Sequence, residues 1–228
     1  MPEVELQVRF NTINSQVKVS ESQFTETVAI AGQDFFKMFD FEILRGEKNK
    51  ILGSPSNVLL SERMAKKYFG DVDPINKNIS LQVGETFDEF LVKAITRNVP
   101  TNSGIQFDIL ISELNYPKLY NERTLSAWFN IIPETYVQLK LGTDPKSVEK
   151  KFPKIFRALL GEESYKQSKY APGLQPLKDI HLNIDYPVGS TSKQSEIYLH
   201  PVRHSVANPL CCMHQFCDSI RRSVHTTS

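Results

Sequence analysis

Asn57-Val58-Leu59-Leu60-Ser61-Glu62-Arg63-Met64-Ala65-Lys66-Lys67-Tyr68-Phe69-Gly70 passes from strand to helix without a loop between them. The apolar run Val58-Leu59-Leu60 is too short for a helix of its own and reads as a buried strand. Ser61 stands at a natural N-cap position, Glu62 complements the positive end of the helix dipole, and Gly70 supplies the C-terminal stop. Met64, Ala65, Tyr68 and Phe69 share one face, with Arg63, Lys66 and Lys67 outside it. The stretch is a strand feeding a two-turn surface helix.

Working outward toward the start of the chain, Glu5 to Val19 and Phe24 to Ile30 read as strands. Asp34 to Phe39 is a short apolar helical turn that leads into Phe41-Glu42-Ile43-Leu44-Arg45-Gly46. Beyond Gly70, Asp71-Val72-Asp73-Pro74 is a loop. Asn78 to Gly84 alternates into a turn, and Phe90 to Ile95 returns as the second strand of a hairpin. Pro100 to Gly104 is a turn cluster, and Phe107 to Ile111 is again β-like. In Tyr136 to Leu141 the residues Val137, Leu139 and Leu141 share a face, which predicts a half-buried strand. Asp144 caps a helix with Pro145 in its first turn. Val148, Phe152, Ile155, Phe156 and Leu159 give that helix its stripe, Gly161 ends it, and Pro153 predicts a kink or a late start. Helices and strands are interspersed without a regular βαβ period, so the fold class is α+β, a mixed sheet with interspersed short helices.

The 228 residues are 40% hydrophobic and 23% charged with a net charge of +1. That is enough apolar material for a core, and the charge is too balanced to favour nucleic acid or an anionic membrane. The averages hide an asymmetry. All three cysteines and four of the five histidines fall in residues 200–228, whereas residues 1–199 contain no cysteine and a single histidine, His181. No apolar run reaches the length that spans a bilayer, and Met1 to Leu6 has no secretory-signal character, so the chain as written is expected to stay in the cytoplasm. The glycine-rich phosphate loops of ATP and dinucleotide sites are absent, as is any other cofactor motif.

The candidate chemistry is sparse. Cys211-Cys212-Met213-His214-Gln215-Phe216-Cys217 offers zinc-type ligands, but adjacent cysteines do not form the paired C-x-x-C arrangement, and an unstructured tail is the expectation. His181 beside Asp179 has no nucleophile motif with it, although a hydrolase using His181 is a weak third reading. Glu85, Asp88 and Glu89 in the hairpin, and Glu162 and Glu163 after the second helix, are carboxylates of solvated turns. Arg63, Lys66 and Lys67 form the outer face of a helix with no aromatic platform for bases. The expectation is no catalytic, cofactor-binding or metal residues, and no enzyme.

Five ordered motifs carry a resemblance. They are Phe35 to Gly46; Asn57 to Gly70; Asp73-Pro74-Ile75-Asn76-Lys77; Pro100-Thr101-Asn102-Ser103 with Phe107-Asp108-Ile109-Leu110; and Gln175 to Leu182 with Ile197-Tyr198. The series resembles the MacB-like periplasmic core domain of FtsX-related ABC transporter permeases over about residues 2 to 199. The resemblance implies a noncatalytic extracytoplasmic insert between the first and second transmembrane helices of an inner-membrane protein. It implies as partners a separate ABC ATPase subunit, the rest of the permease and a periplasmic adaptor. A stand-alone soluble ligand- or protein-binding module is the alternative.

The resemblance also implies neighbours that the sequence does not contain. A membrane helix, a strand and a helix are expected before Pro2, and a strand left without that partner would become an open sheet edge. A second membrane helix is expected after Ile197-Tyr198, where His200-Pro201-Val202-Arg203-His204 stands instead. In the frame shifted by one base, Leu199 to Cys217 can decode as an apolar run ending A-C-I-N-F, with Met213-His214 giving cysteine unambiguously. Residues 1–199 are therefore expected to be a partial core domain, and residues 200–228 a disordered non-family tail derived from an out-of-frame second transmembrane helix.

Overall fold

A computed structural model describes residues 1–126, 133–168, 172–177 and 210–214. In chain order the elements are β1 (Val4–Val19), β2 (Ser22–Ala31), α1 (Phe35–Met38), β3 (Ile43–Gly46), β4 (Asn57–Ser61), α2 (Glu62–Phe69), β5 (Asn78–Val83), β6 (Thr86–Thr96) and β7 (Ile109–Ser112). They continue with α3 (Tyr116–Leu119), α4 (Glu122–Ser126), β8 (Glu134–Leu139), α5 (Pro145–Glu149), α6 (Phe152–Leu160), α7 (Glu162–Ser168), β9 (Gly173–Pro176) and β10 (Leu210–His214). The chain divides into two compact units, one of residues 8–133 and one of residues 1–7 with 134–228.

In the first unit β1 pairs antiparallel with β2, β2 parallel with β7, and β7 antiparallel with β4. The path continues as β4 parallel with β6 and β6 antiparallel with β5, and β5 returns to β1 through Val17↔Leu81 and Lys18↔Ser80. The pairings thus form a closed circuit of six strands, the device by which β proteins remove free edges. The open edge anticipated from a missing strand is not found among these six. β3 lies beside β6 on the edge β5 leaves free, with a register shift between Ile43 and Arg45.

Alternation supplies one core from all six strands. Val17, Val28, Leu60, Leu81, Val92 and Ile109 are each fully buried in it, and Met64 and Ala65 of α2 add to it. The central strands β4 and β7 are buried on both faces, which is why their sequences run continuously apolar. The β5–β6 hairpin turns on Gly84-Glu85, with Val83 opposite Thr86. Gly84 has φ +72°, and a Cβ there would lie 2.4 Å from the Lys118 carbonyl oxygen. Both the turn and the close approach of α3 require glycine.

In the second unit the strand order is β1, β8, β10, β9, with residues 1–7 contributing the start of β1. Val137, Leu139, Val148, Phe152 and Phe156 form its core. The helix expected from Asp144 to Gly161 is two helices, broken at Lys150-Lys151 ahead of Pro153, because proline is tolerated in a first turn and not in an interior. Asp144 Oδ1 accepts the Lys146 N–H at 3.1 Å, as a cap should. The strand expected to reach Leu141 ends at Leu139. Leu141 is 80% exposed, because Lys140 to Thr143 closes as a turn (Thr143 N–H to Lys140 carbonyl, 3.0 Å) with Gly142 at φ +80°. Tyr136 to Leu139 are buried on both faces, not on one. β10 pairs antiparallel with β8 and β9, as in Cys211↔Val137 and Cys212↔Gln175.

Candidate functional site

The turn from β4 into α2 is a junction where distant segments meet. Ser61 is fully buried. Its N–H donates to the Asp108 carbonyl at 2.7 Å, its hydroxyl donates to Asp108 Oδ1 at 2.6 Å, and Ser61 Oγ accepts the Met64 N–H at 3.2 Å. One side chain therefore caps the helix and anchors the segment leading into β7. Arg63, two residues on, places Nε 2.6 Å from Asp108 Oδ1 and a terminal nitrogen 2.5 Å from Oδ2. This is the two-pronged geometry that guanidinium and carboxylate favour, and the hydrogen bonds raise the Arg63 pKa.

The network extends to the end of β6. The Arg63 N–H donates to Asn98 Oδ1 at 2.9 Å. Next to Asn98, Arg97 grips Glu42 at 2.6 and 3.0 Å and donates its own N–H to the Glu42 carbonyl at 3.0 Å. The Arg97 hydrogen bond holds the Glu42 carboxyl below the ordinary range, and Glu42 in turn raises Arg97. On the other side of this segment Phe35 is fully buried among aromatic rings. It stacks on Phe41 at 5.4 Å and on Phe10 at 5.7 Å, and meets Phe107 edge-on at 5.7 Å. Gly46, with φ +92°, approaches β6 so closely that a Cβ would fall 2.1 Å from the Lys93 carbonyl oxygen.

Chemically this constellation ties segments together. Its charged side chains are spent on one another or on backbone. Among the described residues no group of three His, Cys, Asp or Glu side chains could hold a metal ion.

The segments so tied all lie within the reach of a family model for the MacB-like periplasmic core domain, which matches residues 1–155. The chain belongs to that family.

The chain is also similar to solved structures. A domain of a permease protein from Porphyromonas gingivalis is 23% identical, over 72% of this chain and 74% of that one, with a TM-score of 0.61. The periplasmic region of MacB from Actinobacillus actinomycetemcomitans is 15% identical, over 72% and 71%, with a TM-score of 0.50. The extracellular domain of the ABC-type transporter YknZ from Gram-positive bacteria aligns at 16% identity over 71% and 79%, with a TM-score of 0.48. No curated protein matches the chain.

Within this MacB-like core domain the residues weighed from sequence are placed as follows. Asp88 accepts Lys118 Nζ at 3.0 Å, Glu89 accepts the Ser80 hydroxyl, and Glu85 lies exposed in the hairpin turn. Glu162 pairs with Arg157 and Lys166, and Glu163 is exposed. Lys66 pairs with Asp71 and Lys67 with Glu26, so the basic face of α2 is matched by acid. His181, Asp179 and Cys217 lie outside the described residues, as do the side chains of Cys211, Cys212 and His214. Among the described residues no helix is long and apolar enough to cross a membrane.

Sequence reading did not anticipate that Asp108, Glu42, Arg97 and Asn98 belong to one assembly. Asp108 and Glu42 sit inside the motifs, next to Phe107 and Phe41, and an acid flanked by core aromatics is the signal that was there to use. Arg97 and Asn98 lie outside every motif. Sequence also missed an open groove of about 360 Å³ beside α2, floored by Ala65 and Ile95 and flanked by the pairs Arg45–Asp73 (2.6 Å) and Lys66–Asp71.

Proposed function

We propose that this chain serves as the extracytoplasmic domain of an ABC transporter permease, inserted between its first and second transmembrane helices. A separate ATPase subunit drives those helices. The domain passes their motion to an exported substrate or to a periplasmic adaptor, and itself catalyses nothing. The observation that carries this reading is the interlocked junction of Ser61, Arg63 and Asp108 inside a family-matched core. Side chains that could do acid–base chemistry are used instead to fix segments to one another, as a body that transmits displacement requires.

In this reading residues 1–199 are the family portion, belonging outside the inner membrane, and residues 200–228 are a tail foreign to it, produced by a change of frame. The nucleotide sequence around the coding region tests both parts. The expected result is code for an apolar helix upstream of codon 2, an apolar run in the shifted frame from codon 199, and an ABC ATPase gene alongside. A self-contained gene with no apolar run on either side and no ATPase neighbour would overturn the proposal.

A further inference from the structure

We propose that the groove between α2 and the loop that follows it is a docking site for an extended segment of a partner protein, one that presents an aliphatic side chain beside a lysine or arginine. The groove holds about 360 Å³, the low end of the range for ligand pockets and room for one or two side chains. Its floor is apolar: Ala65 and Ile95 are nearly buried, and Val72 at the rim is 57% exposed. An exposed valine continuous with an apolar floor is surface that water does not favour.

The charge around this floor selects the occupant. Both basic side chains of the lining are already neutralised, Arg45 by Asp73 and Lys66 by Asp71. Asp73 also accepts the Ile75 N–H at 3.0 Å, which with Arg45 holds its carboxyl below the ordinary range. Glu62 makes no ion pair among the described residues. Its Oε2 accepts the Asn98 N–H at 3.4 Å, and Arg97, the nearby cation, is committed to Glu42. The groove thus sets a half-buried carboxylate that no salt bridge holds beside apolar surface, and its lining carries three carboxylates against two basic side chains. Glu62 also complements the α2 dipole, but that role needs neither the apolar floor nor the exposed Val72.

The proposal stands apart from the permease reading, so its failure would leave that reading untouched. The test is amide chemical-shift titration of the 15N-labelled full chain with two probes, acetyl-Leu-Lys-Leu-amide and acetyl-Leu-Glu-Leu-amide. We expect saturable shifts at Lys66, Gly70 and Val72, with the lysine probe binding about fivefold or more tightly than the glutamate probe. Glu62→Gln should abolish that preference. Val72→Ser should weaken both probes alike and leave the preference intact. Shifts that do not saturate, shifts centred elsewhere, or a lysine preference that survives Glu62→Gln would overturn the proposal.

Discussion

Arg63 and Asp108, 45 residues apart in the chain, hold each other through two hydrogen bonds of 2.6 and 2.5 Å. Asp108 also receives the Ser61 hydroxyl, so a helix, the strand before it and the entry to another strand share one carboxylate. The Arg63 side chain is 59% exposed and that of Asp108 20%. The two ends of the pair should therefore differ in worth. Arg63→Lys, which loses the two-pronged geometry, should cost about 0.5–1 kcal/mol by urea denaturation, the scale of exposed pairs. Ser61→Ala should cost about 1–2 kcal/mol, because it removes a helix cap and leaves a carboxylate oxygen of Asp108 one donor short.

Two glycines of the motifs should respond differently to the same substitution. Gly46→Ala places a methyl group 2.1 Å from the Lys93 carbonyl oxygen at φ +92°. It should destabilise the domain by about 3 kcal/mol or more, or prevent folding. Gly70 has φ +61° but nothing within 4 Å of a built Cβ. Gly70→Ala should cost about 1–3 kcal/mol, the cost of a backbone conformation (φ +61°, ψ −123°) that L side chains avoid, with no clash added. Thermal melts of the two variants side by side measure the difference.

The strand-to-helix stretch from Asn57 to Gly70 was legible because every local signal in it agrees. An apolar run, a serine cap, an acid in the first turn and a terminal glycine all point to one structure. The break ahead of Pro153 was legible for the same reason. Leu141 was misread because period-two alternation continues through Leu139 into a residue that a glycine turn removes from the strand. The closed six-strand circuit and the convergence of Glu42, Arg97 and Asp108 depend on pairings between distant segments, and no local pattern encodes which strand lies beside which. Sequence alone therefore gave the motifs and left out the contacts between them.

Phe35 should be the most costly aromatic to remove. It is fully buried, and its centroid lies within 5.7 Å of those of Phe10, Phe36, Phe39, Phe41 and Phe107. Phe35→Ala should cost about 3–5 kcal/mol in chemical denaturation, the range for a large cavity in a packed core. Phe87→Ala, at a ring 38% exposed in the β5–β6 hairpin, should cost far less.

The acid limb of stability should carry the signature of Glu42 and Asp73. Both have folded pKa values below the ordinary ones of 4.5 and 3.8, the first through Arg97 and the second through the Ile75 N–H and Arg45. Their stabilisation is fully present above those ordinary values and is lost as pH falls through the lower folded values. Urea midpoints should therefore drop below about pH 4.5, and Glu42→Gln should make that drop shallower. A Glu42→Gln variant whose midpoint falls with pH as steeply as the parent would contradict the assignment.

The family's motif residues are coupled to one another as a structural lock. The most direct measurement is a double-mutant cycle on Arg63→Ala and Asp108→Ala, with unfolding free energies from urea denaturation. The double variant should lose less than the two singles combined, by about 0.5–1 kcal/mol or more. Single losses that simply add, within about 0.3 kcal/mol, would contradict it.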